Sequence, residues 1–167
     1  LPAPAAASIS FTGNLAIAGE ATDLSGLGAE FGANRLSFGS DLIYDRATNL
    51  YYGITDRGPG GGLVDFAPRV HAFSLNFDPV THAPTGFVLQ STTIFRDEGG
   101  NVFSGFNPSL LNGSVSTLGR SFDPEGLARL PNGNFLVSDE YGPSVYEFKP
   151  DGTLVKRFDV PENLIPK

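Results

Sequence analysis

The chain has 167 residues, 40% of them hydrophobic, with 21 Gly, 13 Pro, no Cys, Met or Trp, and a net charge of −7. Its 11 Lys and Arg are scattered rather than clustered, which argues against nucleic acid and an anionic membrane surface as partners. No run approaches the ~18 apolar residues of a membrane span, and without thiols oxygen is the plentiful metal donor.

Residues 1–7, Leu-Pro-Ala-Pro-Ala-Ala-Ala, read as a processed flank or linker. The rest, 8–167, reads as the N-terminal portion of one domain, opening with a partial strand set at Ile9–Phe11 and Leu15–Ala18. Four strands are then expected, Asp41–Asp45, Leu50–Arg57, Val70–Leu75 and Phe87–Phe95, with the loop Gly58–Arg69 between the second and third. A second set of four follows: Gly126–Leu130, Phe135–Ser138, Val145–Phe148 and Leu154–Asp159. Its turns are marked by Pro131-Asn132-Gly133 and Pro150-Asp151-Gly152.

The two sets share an order. Ile54-Thr55-Asp56-Arg57 aligns with Val137-Ser138-Asp139-Glu140, and Val70-His71-Ala72-Phe73 with Val145-Tyr146-Glu147-Phe148. Repeated four-strand units predict an all-β chain built as β-propeller blades. Propellers close with about four or more blades, so two to three blades are expected here. The partner is expected to be the C-terminal remainder of the same precursor, clipped after Lys167.

Four carboxylates gather where strands of the second set meet loops: Asp123 and Glu125 before one, Asp139 and Glu140 after the next. Such a gathering is costly unless a cation or polar substrate uses it. Glu125 precedes Gly126 at a strand start, where a bare carboxylate has no local structural task. Asp139 and Glu140 end a strand, where capping a turn is an equally good reading. Asp56-Arg57 can form a plain surface ion pair, yet Arg57 opens the loop Gly58–Gly62, and its guanidinium fork suits a phosphate or carboxylate. That loop lacks the Lys-Ser/Thr ending of a nucleotide loop.

The remaining polar features read more plainly. Asp97–Asn101 reads as a solvated loop, with calcium binding as the lesser alternative, and Ser104–Thr117 as a polar insertion over one face. His71 on a strand and His82 in a turn are structural residues, so no His-rich zinc centre is expected. No Gly-x-Ser-x-Gly elbow supports a nucleophilic serine. The metal ligands are therefore expected at Glu125, Asp123 and Asp139, and the catalytic groups at Asp56, Arg57 and Glu140. Asp56-Arg57 and Asp139-Glu140 end equivalent strands and should share one face.

Asp56-Arg57-Gly58, Asp123-Pro-Glu-Gly-Leu-Ala128, and Ser138-Asp-Glu140 followed by Val145-Tyr-Glu-Phe148 resemble the phytase-like esterase domain, a secreted bacterial propeller family. The resemblance covers roughly Ser37 to Pro166. More distantly, Glu125-Gly-Leu to Tyr146-Glu147 is similar to the calcium-dependent β-propeller phytases, in which the Glu of an Asp-x-Glu-Gly motif binds calcium. Glu125, with Asp123 beside it, matches that ligand position, whereas the paired-Asp segment and Trp step of those enzymes have no counterpart here. The resemblance implies a calcium-assisted hydrolase of small phosphate or carboxylic esters, secreted to the periplasm or the extracellular space. A non-catalytic, calcium-stabilised binding propeller and a sugar-lactonase-like propeller remain the alternatives.

Overall fold

The computed structural model describes residues 9–113, 118–158 and 160–164. They contain eight strands: β1 (Asp41–Asp45), β2 (Leu50–Ile54), β3 (Arg69–Phe77), β4 (Pro84–Ile94), β5 (Pro124–Arg129), β6 (Phe135–Asp139), β7 (Ser144–Phe148) and β8 (Leu154–Arg157). The strands form two four-stranded sheets, β1-β2-β3-β4 and β5-β6-β7-β8, every neighbouring pair antiparallel. Each sheet is a sequential meander, the repeated unit expected from the aligned strand order. Short 3-10 turns at Glu30–Gly32, Pro108–Leu111 and Glu162–Leu164 are the helical elements among the described residues.

One expectation fails. Ile9–Phe11 and Leu15–Ala18 form no strand: Ile9 and Phe11 are exposed and pair with nothing in a sheet. Alternation of apolar residues there finds no facing strand to bury against, and a short strand without a partner leaves its backbone to water. The flank 1–7, Asp159, Lys167 and the end of the Ser104–Thr117 insertion lie outside the described residues.

Turn chemistry sets the hairpins. Asp45 Oδ1 accepts from the Ala47 N–H at 2.9 Å, and its Oδ2 from Thr48 Oγ1 at 2.9 Å, closing β1 onto β2. Gly133 takes φ 87° between β5 and β6, and Gly152 takes φ 86° between β7 and β8. A Cβ on Gly152 would also collide with the Ile94 carbonyl, so this turn is pressed against the end of β4. Beyond β4 the chain zips onto the second sheet: the Arg96 N–H donates to Gly152 O and the Leu154 N–H to Arg96 O, each at 2.8 Å.

One core serves both sheets. Tyr52, Ile54, Val70 and Ala72 of the first pack with Leu127, Phe135, Val137, Tyr146 and Phe148 of the second. Phe95, Phe103 and Phe122, from the connecting segments, fill the space between, with ring centroids of Phe95 and Phe148 4.4 Å apart. Alternation does the sorting: β6 buries Phe135, Val137 and Asp139 and turns Leu136 and Ser138 outward. Packing sets β5 against β1 and β2, and the Leu127 N–H donates to Asp41 Oδ2 at 2.7 Å. This contact brings the end of β2 and the start of β5 to the same rim.

Arg69, at the start of β3, is fully buried. Its Nη1 donates to Asp23 Oδ2 at 2.6 Å and to Ala33 O at 2.8 Å, its Nε to Ala67 O at 2.9 Å, and its guanidinium lies 4.2 Å from the centre of the Phe66 ring. This buried ion pair fastens the segment before β1 to the first sheet.

Candidate functional site

Three strand ends meet at the rim. β2 ends at Ile54 and delivers Asp56-Arg57; β5 starts at Pro124, between Asp123 and Glu125; β6 ends at Asp139 and delivers Glu140. Pro124 pairs with Asp139 and Gly126 with Ser138, so Glu125 is the extra residue of a β-bulge. A bulge re-aims the side chain it carries, and Glu125 is exposed at the rim rather than flat on the sheet. Gly126 follows because a Cβ there would stand 2.7 Å from Ser138 Oγ.

Asp123 is the buried hub. Its Oδ1 accepts the Arg57 backbone N–H at 2.9 Å and its Oδ2 accepts Arg57 Nη1 at 2.5 Å. The same Nη1 lies 3.8 Å from Glu140 Oε2. Carboxylate oxygens of Asp123, Glu125 and Glu140 all lie within 4.8 Å of one another. Asp56 uses Oδ1 to accept the Gly58 N–H at 2.7 Å, and it lines a cavity of about 450 Å³ together with Glu125, Thr55 and Ser40. Of the six residues singled out in the sequence, five thus face one region.

Asp139 is the sixth, and it points inward. Its Oδ1 accepts the N–H groups of Asp123 at 3.1 Å and Tyr141 at 3.0 Å, and Oδ2 lies 3.5 Å from Ser144 Oγ. Its carboxyl therefore ties the β6 exit to the β5 entrance and stands outside the Asp123–Glu125–Glu140 group. Burial pushes it up to about 7, against the pull of its two backbone donors.

Two of the rim carboxyls are also shifted. Burial raises Asp123, opposed by Arg57, and burial together with Asp123, Glu140 and Asp56 raises Glu125. Partial burial alone would lower the Arg57 guanidinium, but the charges of Asp123, Tyr141 and Glu140 outweigh it and raise Arg57.

Sequence reasoning missed Tyr141. Its hydroxyl donates to Gly105 O at 2.6 Å, and its ring centre lies 5.8 Å from the Arg57 guanidinium. Burial, then the charge of Asp123, pushes the phenol up to about 12. The signal was only its place after Asp139-Glu140. Also unforeseen was the strap under the Gly58–Gly62 loop. The Gly105 N–H donates to Phe66 O at 2.7 Å, the Asn107 N–H to Gly62 O at 2.8 Å, and Ser104 Oγ to Asp65 Oδ1 at 2.7 Å. A Cβ on Gly105 would collide with the Arg57 carbonyl. The loop is held by the strap, so Arg57 is fixed from below as well as by Asp123.

The donor set is chemically narrow. Among the described residues the group offers carboxylate oxygen alone, with no imidazole or thiol, and three crowded carboxylates could hold a hard cation. Asp97, by contrast, spends its carboxylate on its own turn, accepting the Gly99 and Asn101 N–H groups at 2.9 and 2.8 Å.

Residues 35–167 match the phytase-like family, described as having the esterase-like activity of phytase. The chain belongs to this family. Among curated proteins, a 47-residue stretch is 43% identical to an uncharacterized secreted protein of Arthroderma benhamiae, covering 28% of this chain and 9% of that protein. The chain thus spans only a small part of the relative's length. No solved structure matches it. No helix among the described residues is long and apolar enough to cross a membrane.

Proposed function

We propose that the chain forms part of a secreted, metal-assisted hydrolase of small phosphate or carboxylic esters, its two sheets being two blades of a propeller. One observation carries the reading: Asp123, Glu125 and Glu140 converge within 4.8 Å at the rim where Arg57 also lies. Asp123, Glu125 and Glu140 would hold a calcium ion, a set in which Glu140 replaces the inward-facing Asp139. Bound there, calcium supplies Lewis-acid polarisation of an ester or phosphoryl oxygen.

The chain's own residues do the remainder. Arg57, with its side chain 34% exposed, offers the guanidinium edge not engaged by Asp123 to a substrate oxyanion. Asp56, on the wall of the cavity that Glu125 shares, is placed to take a proton from an attacking water. Tyr141 and the Gly105 strap hold Arg57 in place, and positioning carries much of the rate where the metal is a weak acid. We place the rest of the ring in the C-terminal remainder of the same precursor.

The test is hydrolysis of p-nitrophenyl phosphate and p-nitrophenyl acetate by the full-length protein, with calcium and with EDTA. Calcium-dependent release of p-nitrophenol from either supports the reading. Calcium binding without hydrolysis of either would replace it with a calcium-stabilised binding module.

A further inference from the structure

A second cavity adjoins the first. It measures about 280 Å³, and Ser37 and Asp56 line both. Its other walls differ in kind: Phe31, Pro59 and the edge of Phe66 are apolar, with Arg35 as the charged lining residue. Phe66 is fixed, buried beneath Gly58, where any Cβ would collide with its ring. Phe31 is 70% exposed and holds a left-handed backbone, φ 49°. A bulky side chain in that conformation is strained, and among the described residues Phe31 belongs to no buried cluster that would repay it. Its one described role is to wall this cavity.

We infer that the cavity receives a flat apolar group, an aromatic ring or short acyl chain, on one side of the ester whose reacting bond lies over Asp56 and Glu125. This rests on the hydrolase reading above and adds the substrate class. The volume suits one or two fused rings and falls just short of the roughly 300–1,000 Å³ of whole small-ligand sites. Charge points the same way. Among the described residues no Lys or Arg lines the polar cavity; Arg35 lines the second, and Arg57 follows Asp56, which lines both. One or two guanidinium groups, beside the calcium proposed above, can meet a single anionic group, whereas a polyphosphorylated ring carries more charges than these cations match.

Two measurements on the full-length protein test this. In the first, 2-naphthol is titrated against the calcium-loaded protein by fluorescence, for wild type and Phe31→Asn, since Asn accepts the left-handed backbone. Saturable binding that weakens about fivefold or more in the variant is expected from loss of one apolar wall. No saturable binding to wild type, or equal binding by both, overturns the inference.

In the second, kcat/KM is compared for 2-naphthyl against methyl acetate, and for 2-naphthyl against methyl phosphate. Leaving-group reactivity cancels when the ratio in the variant is divided by that in wild type. That quotient should fall several-fold in whichever ester class is turned over, and an unchanged quotient overturns the inference. Tighter binding of inositol hexakisphosphate than of 2-naphthol overturns it as well. Retained 2-naphthol binding with no turnover of either class leaves the cavity assignment standing and sinks the hydrolase reading instead.

Discussion

At the scale of single residues, the site turns on which carboxylates are free. Glu125 is exposed on a bulge and makes no hydrogen bond within the described residues that would be lost with its charge. Glu125→Gln should therefore not lower the urea midpoint in EDTA, and at neutral pH should raise it modestly by removing a repelled charge, while calorimetry shows calcium affinity falling about tenfold or more, because a hard cation needs the charge. Equal calcium affinity in the variant would remove Glu125 from the ligand set. His71 offers a separate prediction. It is buried on β3, its Nδ1 2.9 Å from Thr92 Oγ1, and burial, with Arg69 adding to the effect and Asp23 opposing it, lowers it to about 4. The unfolded chain thus takes up this proton first as the pH falls. Stability is fully present above about 6.5 and is lost as the pH drops toward 4, by on the order of 3 kcal/mol. His71→Gln cannot titrate, and its urea midpoint should fall less steeply between pH 6.5 and 4.

Elements depend on a few buried polar links that patterning does not reveal. Asp23 and Arg69 have no exposed side-chain surface and join the segment before β1 to β3. Asp23→Ala leaves a guanidinium buried without its counter-charge, and equilibrium urea unfolding should show a loss of about 3–5 kcal/mol. Adding Arg69→Met should restore part of that loss, since a matched apolar replacement removes the unpaired charge. A loss below 1 kcal/mol for the single variant would mean that water reaches the guanidinium. The strands themselves were legible because each has its own local signal: alternation in β6, or Gly133 and Gly152 at turns only glycine adopts readily. Arg69 was not legible, because nothing in Pro68-Arg69-Val70 announces a partner 46 residues away. Nor was the strap at Gly105, which is defined by tertiary contacts with Arg57, Gly62, Asp65 and Phe66. Likewise, Asp139 and Glu140 are adjacent letters with opposite fates. Strand alternation turns the first into the core and the second to the rim, a difference that the strand boundary decides.

For the whole molecule, the acidic rim should couple metal, protons and folding. Burial and mutual repulsion raise Asp123 and Glu125. In EDTA each therefore contributes stability that is full below its unfolded pKa and is lost as the pH rises through its elevated folded value. Calcium held there would reverse the sign, because it would bind the ionised carboxylates of the folded state and have to displace their protons. Calcium at one hundred times its Kd should add about 2.7 kcal/mol by mass action, or a rise in Tm of a few degrees, smaller the larger the folding unit. That rise should shrink as the pH falls, and the shrinkage should begin above the ordinary carboxylate range. In Glu125→Gln the rise should be largely lost at every pH. Scanning calorimetry of the full-length protein across pH 4 to 8, with calcium and with EDTA, measures all three. A calcium-induced shift that is independent of pH, or preserved in Glu125→Gln, would place the cation away from this rim, and the grouping of Asp123, Glu125 and Glu140 would then be a solvated acidic edge held together by Arg57.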